Sequence, residues 1–234
     1  MLIKAKQMLG SIPIVGPTLK KAYSFLPGRP SLVFERSDQY WEDRYKLGGT
    51  SGSGSYGRLA AFKADFLNAL VREHEISSVV EFGCGDGAQL QLAKYPIYTG
   101  FDVSPKAIEI CTTKFEGNTT YDFYLVGSRN FYEFDTADLA LSLDVIYHLI
   151  EDDVFETYMG KLFASAERFV VIYAYDFDKI YSSRHERGRK FTGWIDVHAQ
   201  DWTLMQKVPN PYPHDPSDPN NTSQSDFFVY IRRG

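Results

Sequence analysis

"SSVVEFGCGDG", residues 77–87, runs a short apolar segment into Gly83, Gly85 and Gly87. Val79, Val80 and Phe82 read as a buried strand, and the glycines let the chain turn sharply at its carboxyl end. With no side chain on the turn, a ligand can approach backbone N–H groups closely. A glycine turn alone marks any tight strand-to-helix connection, so the next strand end decides what this one is for.

That next strand is "YPIYTGFDVS", residues 95–104, which ends at Asp102, 21 positions after Glu81. An acidic residue there can accept both hydroxyls of a ribose, and together with the glycine turn it describes a nucleoside site. "SPKAIEIC", residues 104–111, opens a helix with Ser104 as its cap and Pro105 at the first helical position. Upstream, Leu59, Phe62, Phe66, Ala69 and Leu70 recur at helical spacing. Downstream, "ADLALSLDV" (137–145) and "RFVVIYAY" (168–175) are apolar strands, and between them "EDDVFETYMGKLFASA" (151–166) is a helix with acids at its N-terminal end. Strands separated by helices, with continuous apolar runs, indicate an α/β fold with a mainly parallel sheet covered on both faces. "DWTLMQKV" (201–208) and "DFFVYIR" (226–232) have only the Pro/Asn/Asp/Ser-rich stretch 209–226 between them and are expected to run antiparallel.

The 234 residues suit one α/β domain with decoration. Thirty acidic residues against 25 basic ones give a net charge of −5, which argues against a grip on a nucleic-acid backbone. Cys84 and Cys111 supply no second pair for a zinc site, and no secretory signal is recognised, so the chain is expected to be cytoplasmic with both thiols reduced. Residues 1–35 form a separate basic arm with Lys4, Lys6, Lys20, Lys21 and Arg29, read as a contact with a subunit, the domain itself or a membrane surface. Residues 36–234 are read as a single domain whose cap or lid spans 36–57.

The spacing G-X-G-X-G preceded by an acid points away from NAD, whose fingerprint is G-X-G-X-X-G. "VVEFGCGDG" followed by "GFDVS" resembles the first two motifs of class I S-adenosylmethionine-dependent methyltransferases. The likeness runs from about residue 56 to the C-terminus and includes "DLALSLDVIYHL" as the fourth-strand motif. It implies a Rossmann-like methyltransferase fold with a seven-stranded sheet, an antiparallel last strand, and S-adenosylmethionine as cofactor. It further implies that Gly83 and Gly85, with Cys84 between them, face the methionine part and ribose, that Asp102 takes the ribose hydroxyls, and that Glu81 organises the turn. By the same resemblance Val103 lies beside the adenine, Ser128 contacts the adenine amine, and Leu143 and Asp144 border the methionine end and the acceptor.

Chemistry adds a demand for a base when the acceptor is a hydroxyl or a protonated amine. Asp144 and His148 are four apart in "SLDVIYHLIED" and form a candidate carboxylate–imidazole pair if that segment is helical; otherwise His148 packs under the following helix. A divalent metal such as magnesium at Asp144 is left open, since spacing assembles no ligand set. In "YWEDRYKLGGTSGSGSYGRLAAFK" (40–63), Tyr40 and Trp41 supply aromatic walls, Arg44 is placed to hold the cofactor carboxylate, and the glycines allow the loop to close. "YSSRHERGRKFTGWID" (181–196) offers His185, Arg189 and Trp194 as a wall for a polar acceptor, with Tyr147 as a further candidate acceptor contact; alternatively it is a solvated basic helix. A narrower resemblance, to a bacterial methyltransferase group that modifies glycans and polysaccharides, implies a saccharide hydroxyl as acceptor. The other outcomes are another small hydroxylated metabolite or a cofactor-binding module without activity.

Overall fold

A computed structural model describes residues 34–134 and 136–234. The basic arm therefore lies outside the described residues, except for its last two positions. Seven strands form one sheet in the order β3-β2-β1-β4-β5-β9-β8. They are β1 (Ser78–Phe82), β2 (Ile97–Asp102), β3 (Tyr121–Leu125), β4 (Ala137–Leu143), β5 (Ala166–Ala174), β8 (Trp202–Val208) and β9 (Asp226–Arg232). The pairs among β1 to β5 are parallel, while β9 runs antiparallel to both β5 and β8. The chain moves outward from β1 to β3 and then returns to place β4 on the other side of β1. That reversal opens a crevice at the carboxyl ends of β1 and β4.

Strand periodicity explains the two-sided core. Val79 in β1, Leu139 and Leu141 in β4 and Val171 in β5 face one layer, which α2 (Gly57–Glu73) and α3 (Pro105–Lys114) cover with Leu67, Leu70 and Cys111. Val80, Phe82, Ala140, Val170 and Ile172 point the opposite way, against α5 (Asp152–Ala164) and α6 (Phe191–His198). Ser104 caps α3 by accepting from the Ala107 N–H at 3.0 Å, with Pro105 following it as the sequence indicates. The five-residue α4 (Arg129–Glu133) and a short hairpin of β6 (Lys179–Ile180) and β7 (Arg187–Gly188) complete the elements.

One local reading changes. Residues expected to be part of a loop-like cap form α1, Ser37–Lys46. This helix lacks a clean apolar stripe, which hides it in the sequence. It is held by Gln39–Asp43 and Glu42–Lys46 contacts one turn apart and by tertiary ties at both ends. Ser37 Oγ donates to Glu151 at 2.6 Å, before α5, while Glu42 accepts from the Lys106 N–H at 3.1 Å in the first turn of α3. The helix thereby spans the crevice. No described helix is long and apolar enough to cross a membrane.

Candidate active site

The glycine turn is fixed by the neighbouring strand end. The Gly83 and Cys84 N–H groups donate to the Phe101 carbonyl at 2.7 and 3.1 Å. Asp102 accepts from the Gly85 N–H through Oδ2 and from the Ser104 N–H through Oδ1, both at 2.9 Å. Burial raises the Asp102 pKa to about 6 against the lowering effect of these N–H groups. Gly85 has φ of 59°, and a Cβ there would lie 2.3 Å from Ser51 Oγ. Glycine is required on both counts. Glu81 is buried and accepts from Tyr98 Oη at 2.6 Å, and burial raises its pKa to about 7.

Above this turn lies a cavity of about 380 Å³, in the size range of small-molecule sites. Its lining includes the apolar or aromatic Val103, Val126, Phe131, Tyr132 and Leu143, the polar Ser51, Ser55, Lys63 and Gln89, and Glu81, Gly83, Cys84, Gly85 and Asp102 of the two strand ends. Trp41 and Tyr45 of α1 contribute to the lining. The loop after α1 is docked on the glycine turn through Asp86, which accepts from the Ser51 N–H at 3.1 Å and Tyr56 Oη at 2.9 Å. The Asp86 N–H in turn donates to Ser51 Oγ at 2.9 Å.

Asp144 follows β4 with φ of 58°, a left-handed conformation that a non-glycine residue adopts at a cost. Its carboxylate accepts from Lys63 Nζ at 2.6 Å, Tyr147 Oη at 3.0 Å and Ser225 Oγ at 3.2 Å. It has no hydrogen bond to His148 among the described residues, because the intervening chain forms a 3-10 turn, Ile146–His148, rather than an α-helix. His148 Nδ1 instead lies 2.9 Å from the His185 carbonyl. A carbonyl only accepts, so Nδ1 carries the hydrogen and Nε2 keeps a free lone pair. Burial lowers the His148 pKa to about 4 and keeps the ring neutral at pH 7.

A second cavity, about 180 Å³, shares Asp144 with the first. Tyr147, Tyr175 and Tyr181 line it, with Glu186, His214 and Ser225 among its polar groups. The rings of Tyr147 and Tyr175 stack at 4.6 Å.

Several residues singled out in the sequence stand elsewhere. Arg44 does not line either cavity; its Nε donates to the Thr50 carbonyl at 2.7 Å and its guanidinium lies over Trp41. Tyr40 is buried and stacks on His185 at 4.5 Å, so these two residues brace α1 against the β6–β7 hairpin. Ser128 precedes α4 and lines neither cavity. Arg189 is buried among the carbonyls of Leu149 and Ile150 and pairs with Asp152 at 2.7 Å, which makes it part of the scaffold before α5. Trp194 packs against Phe155 and Phe163 and bonds to Glu156, away from both cavities. Apart from Ser128, whose buried Oγ has no hydrogen-bond partner, these polar side chains are already engaged and are not presented to a ligand in this arrangement.

Lys63, Gln89, Asp86 and His214 are residues that sequence reasoning missed. Lys63 left a signal: it interrupts the buried stripe Ala60, Leu67, Leu70 of α2 with a charge. Asp86 stands inside the glycine turn itself, whereas Gln89 and His214 carry no local pattern. No group of three or more metal-ligating side chains is found among the described residues.

Residues 80–170 match the family model described as a methyltransferase domain. Among solved structures, the N-methyltransferase NodS from Bradyrhizobium japonicum WM9, in complex with S-adenosyl-L-homocysteine, superposes with a TM-score of 0.60 at 15% identity, covering 86% of this chain and 100% of that one. Magnesium protoporphyrin IX methyltransferase (ChlM) from Synechocystis PCC 6803 with bound SAM gives 0.58 at 13% identity, over 87% and 100% of the two chains. The methyltransferase domain of bacterial CtHen1-C gives 0.56 at 17%, over 74% and 97%. No curated protein matches the sequence. The fold is the Rossmann-like methyltransferase fold. Residues 80–170 thus carry a methyltransferase domain, and solved structures of this fold include complexes with S-adenosyl-L-homocysteine and S-adenosylmethionine.

The residues present fit that cofactor. A buried carboxylate, Asp102, lines the cavity, a side-chain-free turn lies beside it, and a buried amide oxygen in the lining, Gln89 Oε1, has no donor. Val103 and Phe131 add apolar side chains to the lining.

Proposed function

We propose that this enzyme methylates a hydroxyl of a saccharide or glycan precursor in the cytoplasm. The observation that supports the reading is the second cavity, which shares Asp144 with the first and is lined by hydroxyl, amide and carboxylate side chains beside three tyrosines. The polar groups suit the hydroxyls of a sugar, and the tyrosines add their own hydroxyls and apolar ring edges. No lysine or arginine lines this cavity among the described residues, which favours an uncharged polyol over a phosphorylated acceptor.

When bound, the cofactor supplies a methyl group activated on a sulfonium. The protein's part is alignment and proton removal. His148 lines the first cavity and accepts the acceptor proton through Nε2, held in that tautomer by the His185 carbonyl. Asp144, fixed by Lys63, Tyr147 and Ser225, orients the hydroxyl between the cavities. Ser51 and the rest of the loop after α1 act as a lid whose latch is Asp86. The basic arm is assigned to a subunit or membrane contact.

The test offers labelled donor to a panel of mono- and oligosaccharides, with and without magnesium. Labelled sugar is the expected product; label only in other hydroxylated metabolites would overturn the saccharide reading. His148→Ala is expected to lower kcat about a hundredfold with S-adenosylhomocysteine affinity kept. Because the active form is unprotonated and the folded pKa is about 4, kcat/KM should be flat from pH 5 to 8 and fall below pH 4 as His148 takes a proton. Normal turnover by the variant would remove His148 from the mechanism.

A further inference from the structure

The lining of the first cavity holds unused hydrogen-bonding capacity of two opposite kinds. Lys63 is 1% exposed on α2 and lines the cavity. Its ammonium carries three donors, of which one reaches Asp144 Oδ2 at 2.6 Å; the Tyr173 ring lies 5.1 Å away. Gln89 lines the same cavity, and its Nε2 donates at 3.1 Å to the carbonyl of Ala60, one turn before Lys63 on α2. Because a carbonyl only accepts, that bond fixes the amide's orientation and leaves Oε1 as the buried atom without a donor.

A buried cation with spare donors beside a buried acceptor with none is matched by a ligand that presents an anion and a cationic donor together. An α-amino acid zwitterion has that form. We infer that Lys63 binds the carboxylate of the cofactor's amino-acid end and that Gln89 Oε1 accepts from its α-ammonium. The inference rests on the reading of this cavity as the S-adenosylmethionine site. It gives Lys63 the role that the sequence suggested for Arg44, whose guanidinium is engaged with Thr50 and Trp41 outside the cavity. Lys63 also holds Asp144 on the wall shared with the second cavity, so one ammonium links the two ligands.

The experiment is calorimetry on the full chain with three probes: S-adenosylhomocysteine, its carboxyl methyl ester, and 5′-methylthioadenosine, which lacks the amino-acid end. The wild type should prefer the acid over the ester by about tenfold, the scale of one charge-assisted hydrogen bond. Lys63→Met should abolish that preference while changing methylthioadenosine affinity by less than about twofold. Since Lys63→Met leaves Asp144 buried without its cation, Lys63→Met/Asp144→Asn is measured alongside and should behave the same way. Gln89→Leu should weaken S-adenosylhomocysteine about tenfold more than methylthioadenosine. Retention of the acid-over-ester preference in both Lys63 variants, or equal affinities in the wild type, would overturn the assignment of Lys63 alone. Failure of the wild type to bind any of the three would overturn the cofactor site and this inference with it.

Discussion

The two cavities that meet at Asp144 are built by different means. The glycine turn of the first is backbone: N–H groups of Gly83, Cys84 and Gly85 anchored on Phe101 and Asp102, all between residues 83 and 102. The second is side chains gathered from Ser53, Tyr147, Tyr175, Glu186, His214 and Ser225, segments far apart in the chain. A backbone site needs glycines and a capping acid at fixed spacing and leaves a local signature. A side-chain site needs only that the fold deliver groups to one place, and any one of them looks ordinary in its own segment.

The largest effect should come from breaking the backbone site. Gly85→Val places a branched side chain at a left-handed position against Ser51 and Tyr45, and loss of cofactor binding by more than about a hundredfold is expected by calorimetry. Retained binding would mean that the turn does not define the site. Arg189→Ala sharpens the other half of the comparison. Arg189 belongs by sequence to the acceptor wall but by structure to the scaffold, so its loss should cost about 3 kcal/mol in urea unfolding. An unchanged midpoint would return it to the list of ligand-binding candidates.

The smallest effect is electrostatic. Glu81 has a folded pKa raised from 4.5 to about 7 by burial, so the native state holds a proton that the unfolded chain releases. The resulting stability is present below pH 4.5 and is lost as pH rises through 7. Between pH 5 and 7 the wild type should lose about 2 kcal/mol relative to Glu81→Gln, read as the difference between their unfolding free energies. Parallel pH profiles would show that Glu81 is ionised in the native state throughout.

The same contrast decides what was legible in the sequence. The strands Ser78–Phe82, Ile97–Asp102, Ala137–Leu143 and Ala166–Ala174, the Ser104–Pro105 cap and the antiparallel final pair follow from apolar runs and local punctuation, and all are present; β3, Tyr121–Leu125, is half-exposed and carries no such run. Glu81, the glycines and Asp102 were legible for the same reason. The helix Ser37–Lys46 was not, because tertiary ties through Ser37 and Glu42 hold it rather than an apolar face. The Asp144–His148 pairing was inferred from a spacing that is meaningful only in an α-helix; the 3-10 turn sends Asp144 to Lys63, 81 residues away. Arg44, Arg189 and Trp194 carry the right chemistry for ligands, but burial and internal partners have claimed it.

The central claim is that Asp102 and the glycine turn hold S-adenosylmethionine. Its most direct test is calorimetric titration of S-adenosylhomocysteine into the wild type and Asp102→Ala. The account predicts saturable binding to the wild type and an affinity at least about tenfold weaker in the variant. Absence of binding to the wild type, or equal affinity in both, would contradict it.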